Sequence, residues 1–281
     1  MLATIKSKLS ALKRLGLTVP VALRKNPYNE FIGRRFLYYL PFLLPHDKSY
    51  YGFTHLISKK DGLFLDVGAN DGISALGFRK LNKDYRILSV EPNPYHKPAL
   101  EKLKRRLPKF DYILAAAGEA DGRTTIYVPR YKGIPLHTAA SFSRDFARQS
   151  MSREFDGRPD ATITYVPQDV RVMRLDDLNL KPDIIKIDTE GHDFEALCGL
   201  SDTVREYRPF LLVEFHPVYI EKIMSFLKER SYIFLSFDHE QDVFLPLDYT
   251  KELHTFNTFH ITKNFFCIPQ EKIRDLPLEH R

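Results

Sequence analysis

The chain has 281 residues, 43% hydrophobic and 28% charged, a composition that fits one large globular domain, or a domain with an extension, and excludes a disordered or collagen-like chain. Its formal charge is +6, but residues 1–50 hold nine Lys/Arg and two Asp/Glu, so that stretch carries +7 and the remainder −1. The basic character belongs to one end only, and a nucleic-acid partner is not expected for the body of the protein.

In residues 1–58, Leu2, Ile5, Leu9 and Leu12 recur at helical spacing with Lys6, Lys8, Lys13 and Arg14 between them. An aromatic-rich stretch from Phe31 to Pro45 follows, centred on Arg34 and Arg35. Such stripes usually pack on a core, here as an N-terminal helical extension walling an acceptor pocket. The other reading is a peripheral membrane contact through residues 1–45.

Residues 59–281 form the second expected unit. Leu63-Phe-Leu-Asp-Val-Gly-Ala-Asn-Asp-Gly72 reads as a strand and a tight turn, with a helix over Ile73–Lys83. Gly68 and Gly72 permit a sharp turn and a close approach to a ligand. The turn lacks the middle glycine of a dinucleotide fingerprint and carries Asp71 where a phosphate would sit, which argues against an NAD-dependent enzyme. Asp71 also suits a helix N-cap. Together with Asp66 it favours a positively charged ligand. The strand Arg86–Val90 runs into Glu91, 25 residues after Asp66, the spacing at which an acid accepts from ribose hydroxyls. A cation joined to a ribose, with no need for phosphate, describes S-adenosylmethionine.

Tyr95–Arg106 reads as a helix, Tyr112–Ala116 as a third strand and Thr124–Val128 as a further one, an alternation that predicts a parallel sheet. Ala116 and its small neighbours fit two readings, room for an adenine ring or ordinary tight helix–sheet packing. Residues 129–182 interrupt the rhythm with arginines and aromatics, an insertion expected to bind the acceptor. Within it, Thr162–Val166 and Val170–Arg174 read as a hairpin around Pro167-Gln168-Asp169.

Asp183-Ile-Ile-Lys-Ile-Asp-Thr-Glu-Gly191 reads as a buried strand and turn, with a helix from Asp193. Lys186 requires a partner there, with Asp188 and Glu190 nearest. His192 is expected as an exposed turn residue. Phe210–Phe215 carries Glu214 and leads to His216. Strand ends in open α/β sheets form the ligand site, which gathers Asp66, Glu91, Asp188, Glu190, Glu214 and His216 on one lip. Tyr219–Arg230 reads as a helix, and Tyr232–Phe237 and Asn264–Pro269 as strands.

Four motifs occur in order: Asp66-Val-Gly-Ala-Asn-Asp-Gly72, Glu91-Pro-Asn-Pro94, Ile185-Lys-Ile-Asp-Thr-Glu-Gly191 and Leu212-Val-Glu-Phe-His216. Together they resemble the FkbM family of S-adenosylmethionine-dependent methyltransferases over roughly residues 60–270. The resemblance implies a class I methyltransferase fold, Rossmann-like and mostly parallel, with the last strands forming an antiparallel edge. It implies cofactor contacts from Asp66, Gly68, Asn70, Asp71, Gly72, Glu91, Pro92, Asn93 and Ala116. His137-Thr-Ala-Ala-Ser-Phe142 resembles a family segment near the methyl-transfer site, and Phe256 to Ile261 is expected near the pocket.

The reaction implied is O-methylation, with a carbohydrate or glycolipid hydroxyl as the leading acceptor and a polyketide-type or other small molecule as the alternative. Asp188 or His216 is the expected catalytic base, with Glu214 positioning the hydroxyl. A divalent metal on Asp188, Glu190 and Glu214 is a second way to lower the hydroxyl pKa. A non-catalytic partner-binding protein at a membrane is the remaining alternative. Cys198 and Cys267 lack metal-ligand spacing and are expected as buried free thiols. With no secretory signal and no apolar span, a cytoplasmic location is expected.

Overall fold

The computed structural model describes residues 47–57, 59–131, 133–154, 163–259, 264–274 and 276–278. The expectations for residues 1–45 lie outside these. Residues 47–57, on the extension side of the expected boundary, pack into the body. A 3-10 turn at Lys48–Gly52 leads into α1 (Phe53–Leu56), and Tyr50 and Phe53 are fully buried.

The main sheet begins with β1 (Leu63–Val67), then β2 (Arg86–Val90) and β3 (Phe110–Ile113). It is extended by β8 (Ile184–Ile187), β9 (Phe210–Glu214), β10 (Tyr232–Asp238), β11 (Val243–Pro246) and β12 (Asn264–Pro269). The strand order is β11-β10-β12-β9-β8-β1-β2-β3. The run from β9 through β8, β1 and β2 to β3 is parallel, and β12 enters antiparallel between β9 and β10. This is the class I methyltransferase arrangement that the motifs imply. The strand Val243–Pro246 was not foreseen.

Every residue of β1 and β8 is buried, as continuous apolar runs in a parallel sheet require. Successive side chains serve opposite faces. Leu65 and Val67 face α5 (Asp193–Cys198), α6 (Ser201–Tyr207) and α7 (Ile220–Lys228) through Leu197, Val204 and Ile223. Phe64 faces α2 (Ile73–Leu81) and α3 (Lys97–Arg106) through Phe78 and Leu100. On that side Phe53 meets Phe64, Phe78 and Phe266 edge-on at 5.5–5.8 Å, and Phe64 stacks on Phe78 at 4.1 Å.

A second sheet stands beside the cleft, with strands in the order β4-β7-β5-β6. Its members are β4 (Ala116–Ala117), β5 (Gly122–Tyr131), β6 (Ile134–Pro135) and β7 (Ile163–Met173). Two expectations are corrected here. The third main-sheet strand ends at Ile113; Ala116 and Ala117 leave the main sheet and pair with Val172 and Met173. The proposed hairpin around Pro167 is instead one eleven-residue strand, antiparallel to β5 along its length. The reason is hydrogen-bond parity. Pro167 faces Tyr127, whose N–H and C=O are both engaged with Ser141 on the opposite side. The Tyr127–Pro167 pair is therefore a non-hydrogen-bonded one, and the missing proline N–H leaves no gap in the ladder. The segment between β6 and β7 contains α4 (Arg144–Glu154), which buries Ala147 and Met151. The carboxy-terminal part adds α8 (Tyr249–Phe259); side chains of the expected pocket segment Phe256 to Ile261 lie outside the described residues.

Candidate active site

The floor of the cleft is an ion pair across adjacent strands. Parallel register sets Asp66 of β1 opposite Lys186 of β8, both almost fully buried and 4.0 Å apart. Asp66 also accepts from Ser74 Oγ at 2.6 Å and Ser89 Oγ at 3.0 Å. Lys186 donates to Asp188 Oδ2 at 2.8 Å. Burial opposes charge on Lys186, but Asp188, Asp66 and Glu214 outweigh it and hold the ammonium above its ordinary range. Asp66 thus lies beneath the cleft rather than along its wall.

The loop after β1 is fixed by backbone geometry. Gly68 has φ +83°, and a Cβ there would lie 1.7 Å from the Asp188 carbonyl oxygen. Gly72 has φ +85°, and its Cβ would meet Leu103 Cδ1 at 2.2 Å. The volume each glycine frees is thus filled by the protein itself, not reserved for a ligand as the sequence reading had it. Asp71 accepts from Ile73 N at 3.3 Å across the turn while also lining the cleft; the N-cap position itself is taken by Gly72, with no side-chain cap, so the expected capping by Asp71 is not what the structure has.

Glu91 sits at the end of β2, buried, with Oε1 accepting from Asn93 N and Oε2 from Asn70 N, each at 2.8 Å. Each oxygen keeps a further lone pair. Burial pushes this carboxyl up to about 7, against the pull of the two backbone N–H groups. Asn93 is 1% exposed; its Oδ1 accepts from Tyr95 N, and its Nδ2 is buried with no hydrogen-bond partner.

Together these residues line a cleft of about 310 Å³, within the size range of small-molecule sites. Gly68, Asn70, Asp71, Glu91, Pro92, Asn93, Ala116, Asp188, Glu190 and Glu214 all line it, whereas Gly72 and His216 do not. Lys186, Ser74, His96 and His137 line it too. Of these, Ser74 and His96 gave no sequence signal; Ser89 could have been found, since it precedes Glu91 by two on one strand face.

The far lip is built by the β8–α5 turn. Glu190 has φ +54°, and its carbonyl accepts from Ser141 Oγ at 2.7 Å. Thr189 donates from N and Oγ1 to Asp193 Oδ1 at 2.7 and 3.0 Å. Burial and the nearby Asp188 raise Asp193 to about 6. His192 is not the exposed turn residue expected: it stacks on Phe142 at 4.2 Å. His216 is buried under Phe146, 4.8 Å between ring centres, and its Nδ1 accepts from Val218 N at 3.3 Å. A neutral ring in that state carries its proton on Nε2 and presents a donor.

Among the described residues no group of three or more His, Cys, Asp and Glu is arranged to hold a metal ion. The Lys186 ammonium already takes the cationic place beside Asp66 and Asp188. The donor set therefore does not fit the divalent metal considered from sequence. No helix among the described residues is long and apolar enough to cross a membrane.

The AMB antimetabolite synthetase AmbE of Pseudomonas aeruginosa is 26% identical over 183 residues, which is 57% of this chain and 9% of that protein. The crystal structure of methyltransferase FkbM from Methylobacillus flagellatus is 20% identical, covering 70% of this chain and 46% of the other, with a TM-score of 0.46. Aeropyrum pernix fibrillarin, solved with natively bound S-adenosyl-L-methionine, is 11% identical with a TM-score of 0.40, covering 79% and 75% of the two chains. The present chain thus spans less than a tenth of the synthetase and about half of the Methylobacillus protein. The family described as methyltransferase FkbM domain matches residues 66–234, from the buried aspartate of β1 into β10. Strand order, site loops and this match coincide over more than half the chain, which belongs to the FkbM methyltransferase family.

Proposed function

We propose that the protein uses S-adenosylmethionine to methylate a hydroxyl of a carbohydrate or glycolipid. The observation that carries the cofactor is Glu91. Its two oxygens are held by backbone N–H groups and retain lone pairs where a ribose diol would donate. The unpartnered Asn93 Nδ2 and the small side chains of Ala115–Ala117 fit the rest of a nucleoside. The bound cofactor would supply an electrophilic methyl group on sulfonium. The chain's own residues have the remaining tasks.

Asp188, held by Lys186, is the proposed proton acceptor for the hydroxyl, and Glu214 the group that positions it. Alignment of the hydroxyl with the methyl–sulfur bond contributes most of the rate, so a modest base suffices. His216 has a supporting place in this reading, under Phe146. Phe142, which lines the cleft, offers aromatic surface against which a sugar ring could pack.

The test is calorimetric titration with S-adenosylmethionine and S-adenosylhomocysteine, with Glu91→Ala as control. Binding by the wild type and its loss in the variant are expected. Incubation with glycan and glycolipid acceptors and methyl-labelled cofactor should then give an alkali-stable methyl ether. Folded wild-type protein that binds neither nucleoside would overturn the cofactor reading. Binding without transfer to any hydroxyl acceptor would overturn the acceptor reading.

A further inference from the structure

The cleft has two chemically different ends. Strand order sets the ends of β8, β1, β2 and β3 in a row, so its floor runs from Lys186 and Asp188 past Gly68 and Glu91 to Ala115–Ala117. With a ribose on Glu91, as proposed above, the charged end faces the sulfonium side. The apolar end is left for the base.

The polar group at that end comes from the insertion. His137 lies in a 3-10 turn between β6 and α4 and lines the cleft, and its Nδ1 is buried with no hydrogen-bond partner. Its ring is held on two sides: Tyr95 stacks on it at 3.9 Å and 26°, and His96 meets it edge-on at 6.1 Å and 81°. Burial, with Arg130 nearby, holds the imidazole below its ordinary value, and burial brings His96 down to about 4. Both shifts favour the neutral form of the ring. A neutral imidazole offers one donor and one acceptor. The edge of adenine offers the complement, an exocyclic N–H₂ donor beside ring-nitrogen acceptors. The buried Asn93 Nδ2 supplies one more donor in the same cleft.

We propose that His137 is a specificity-determining residue for the cofactor, reading the hydrogen-bonding edge of its nucleobase. The insertion then belongs to the cofactor site as well as to the acceptor lip. The assignment rests on the cofactor reading given above, and the two fail differently.

The experiment compares S-adenosylhomocysteine with its purine-riboside analogue, in which hydrogen replaces the 6-amino group and no hydrogen bond can be made at that position by either tautomer of the ring. Both are titrated into the wild-type chain and into His137→Phe, which keeps an aromatic ring against Tyr95 and removes both nitrogens; melting curves check that the variant folds. The wild type should prefer the adenosyl ligand by roughly tenfold or more, since a mismatched base leaves buried polar groups unpaired. His137→Phe should weaken S-adenosylhomocysteine binding and move the ratio towards one. An unchanged ratio in folded His137→Phe overturns this assignment alone. A wild type that binds neither ligand overturns the cofactor reading and this assignment with it.

Discussion

At the scale of single residues, the centre of the site is one buried cation shared among carboxylates. Removing a partner from such a pair leaves an uncompensated charge, which costs about 3–5 kcal/mol. Lys186→Met should therefore lower unfolding stability in urea by about that amount, and adding Asp66→Asn should restore part of it. A double variant no more stable than the single one would mean that the pairing across β1 and β8 is not the cause. Glu91 makes a prediction in pH. Its folded value of about 7 lies above the ordinary 4.5, so between those limits the folded chain keeps a proton that the unfolded chain has released. Its contribution to stability falls as pH rises through that window and is level above it. Ribose hydroxyls favour the ionised form, so nucleoside binding should release this proton. S-adenosylhomocysteine should bind up to about tenfold more tightly at about pH 8 than at about pH 6, and Glu91→Gln should bind with little pH dependence. Equal slopes in the two proteins would remove Glu91 from the contact.

At the scale of elements, the turns carry more constraint than the strands they join. Gly68→Ala combines a left-handed φ with a Cβ 1.7 Å from the Asp188 carbonyl oxygen, so the ends of β1 and β8 must part. A loss of about 2–4 kcal/mol is expected, read as a lower melting temperature, together with loss of nucleoside binding. Retained stability would mean that the two loops move independently. These turns were legible in sequence because glycine, an acid and an apolar run each impose a local requirement. The eleven-residue β7 was not, because a proline reads as a turn unless hydrogen-bond parity is known, and that depends on Ser141 bonding Tyr127 from the other side. The Asp66–Lys186 pair was missed for a similar reason. The two residues are 120 apart in the chain and become neighbours only through the order of the strands. His192 was misplaced because its burial comes from Phe142 of the insertion, not from its own turn.

At the scale of the molecule, residues 47–57 are part of the folded body. Phe53 packs among Tyr50, Phe64, Phe78 and Phe266, and Phe53→Ala should cost about 3–5 kcal/mol, measured by denaturant unfolding. A smaller loss would mean that this segment merely rests on the sheet. The parallel core was legible from its alternating pattern; the second sheet was not, because it joins the end of the predicted third strand, the extra strand at Thr124–Val128 and the predicted hairpin, which only the fold brings side by side. That sheet has a consequence for how two ligands meet. The short stretch from His137 to Phe142 lines the cleft at both residues, the first stacked on Tyr95 and the second on His192. With cofactor and acceptor bound as proposed, restraint of this stretch by one ligand would carry to the other, and each would then change the affinity of the other by the same factor. The expected outcome is an order of arrival. An acceptor analogue should titrate measurably into nucleoside-loaded protein and only weakly into nucleoside-free protein, and the loaded complex should release its nucleoside more slowly once the acceptor is in place.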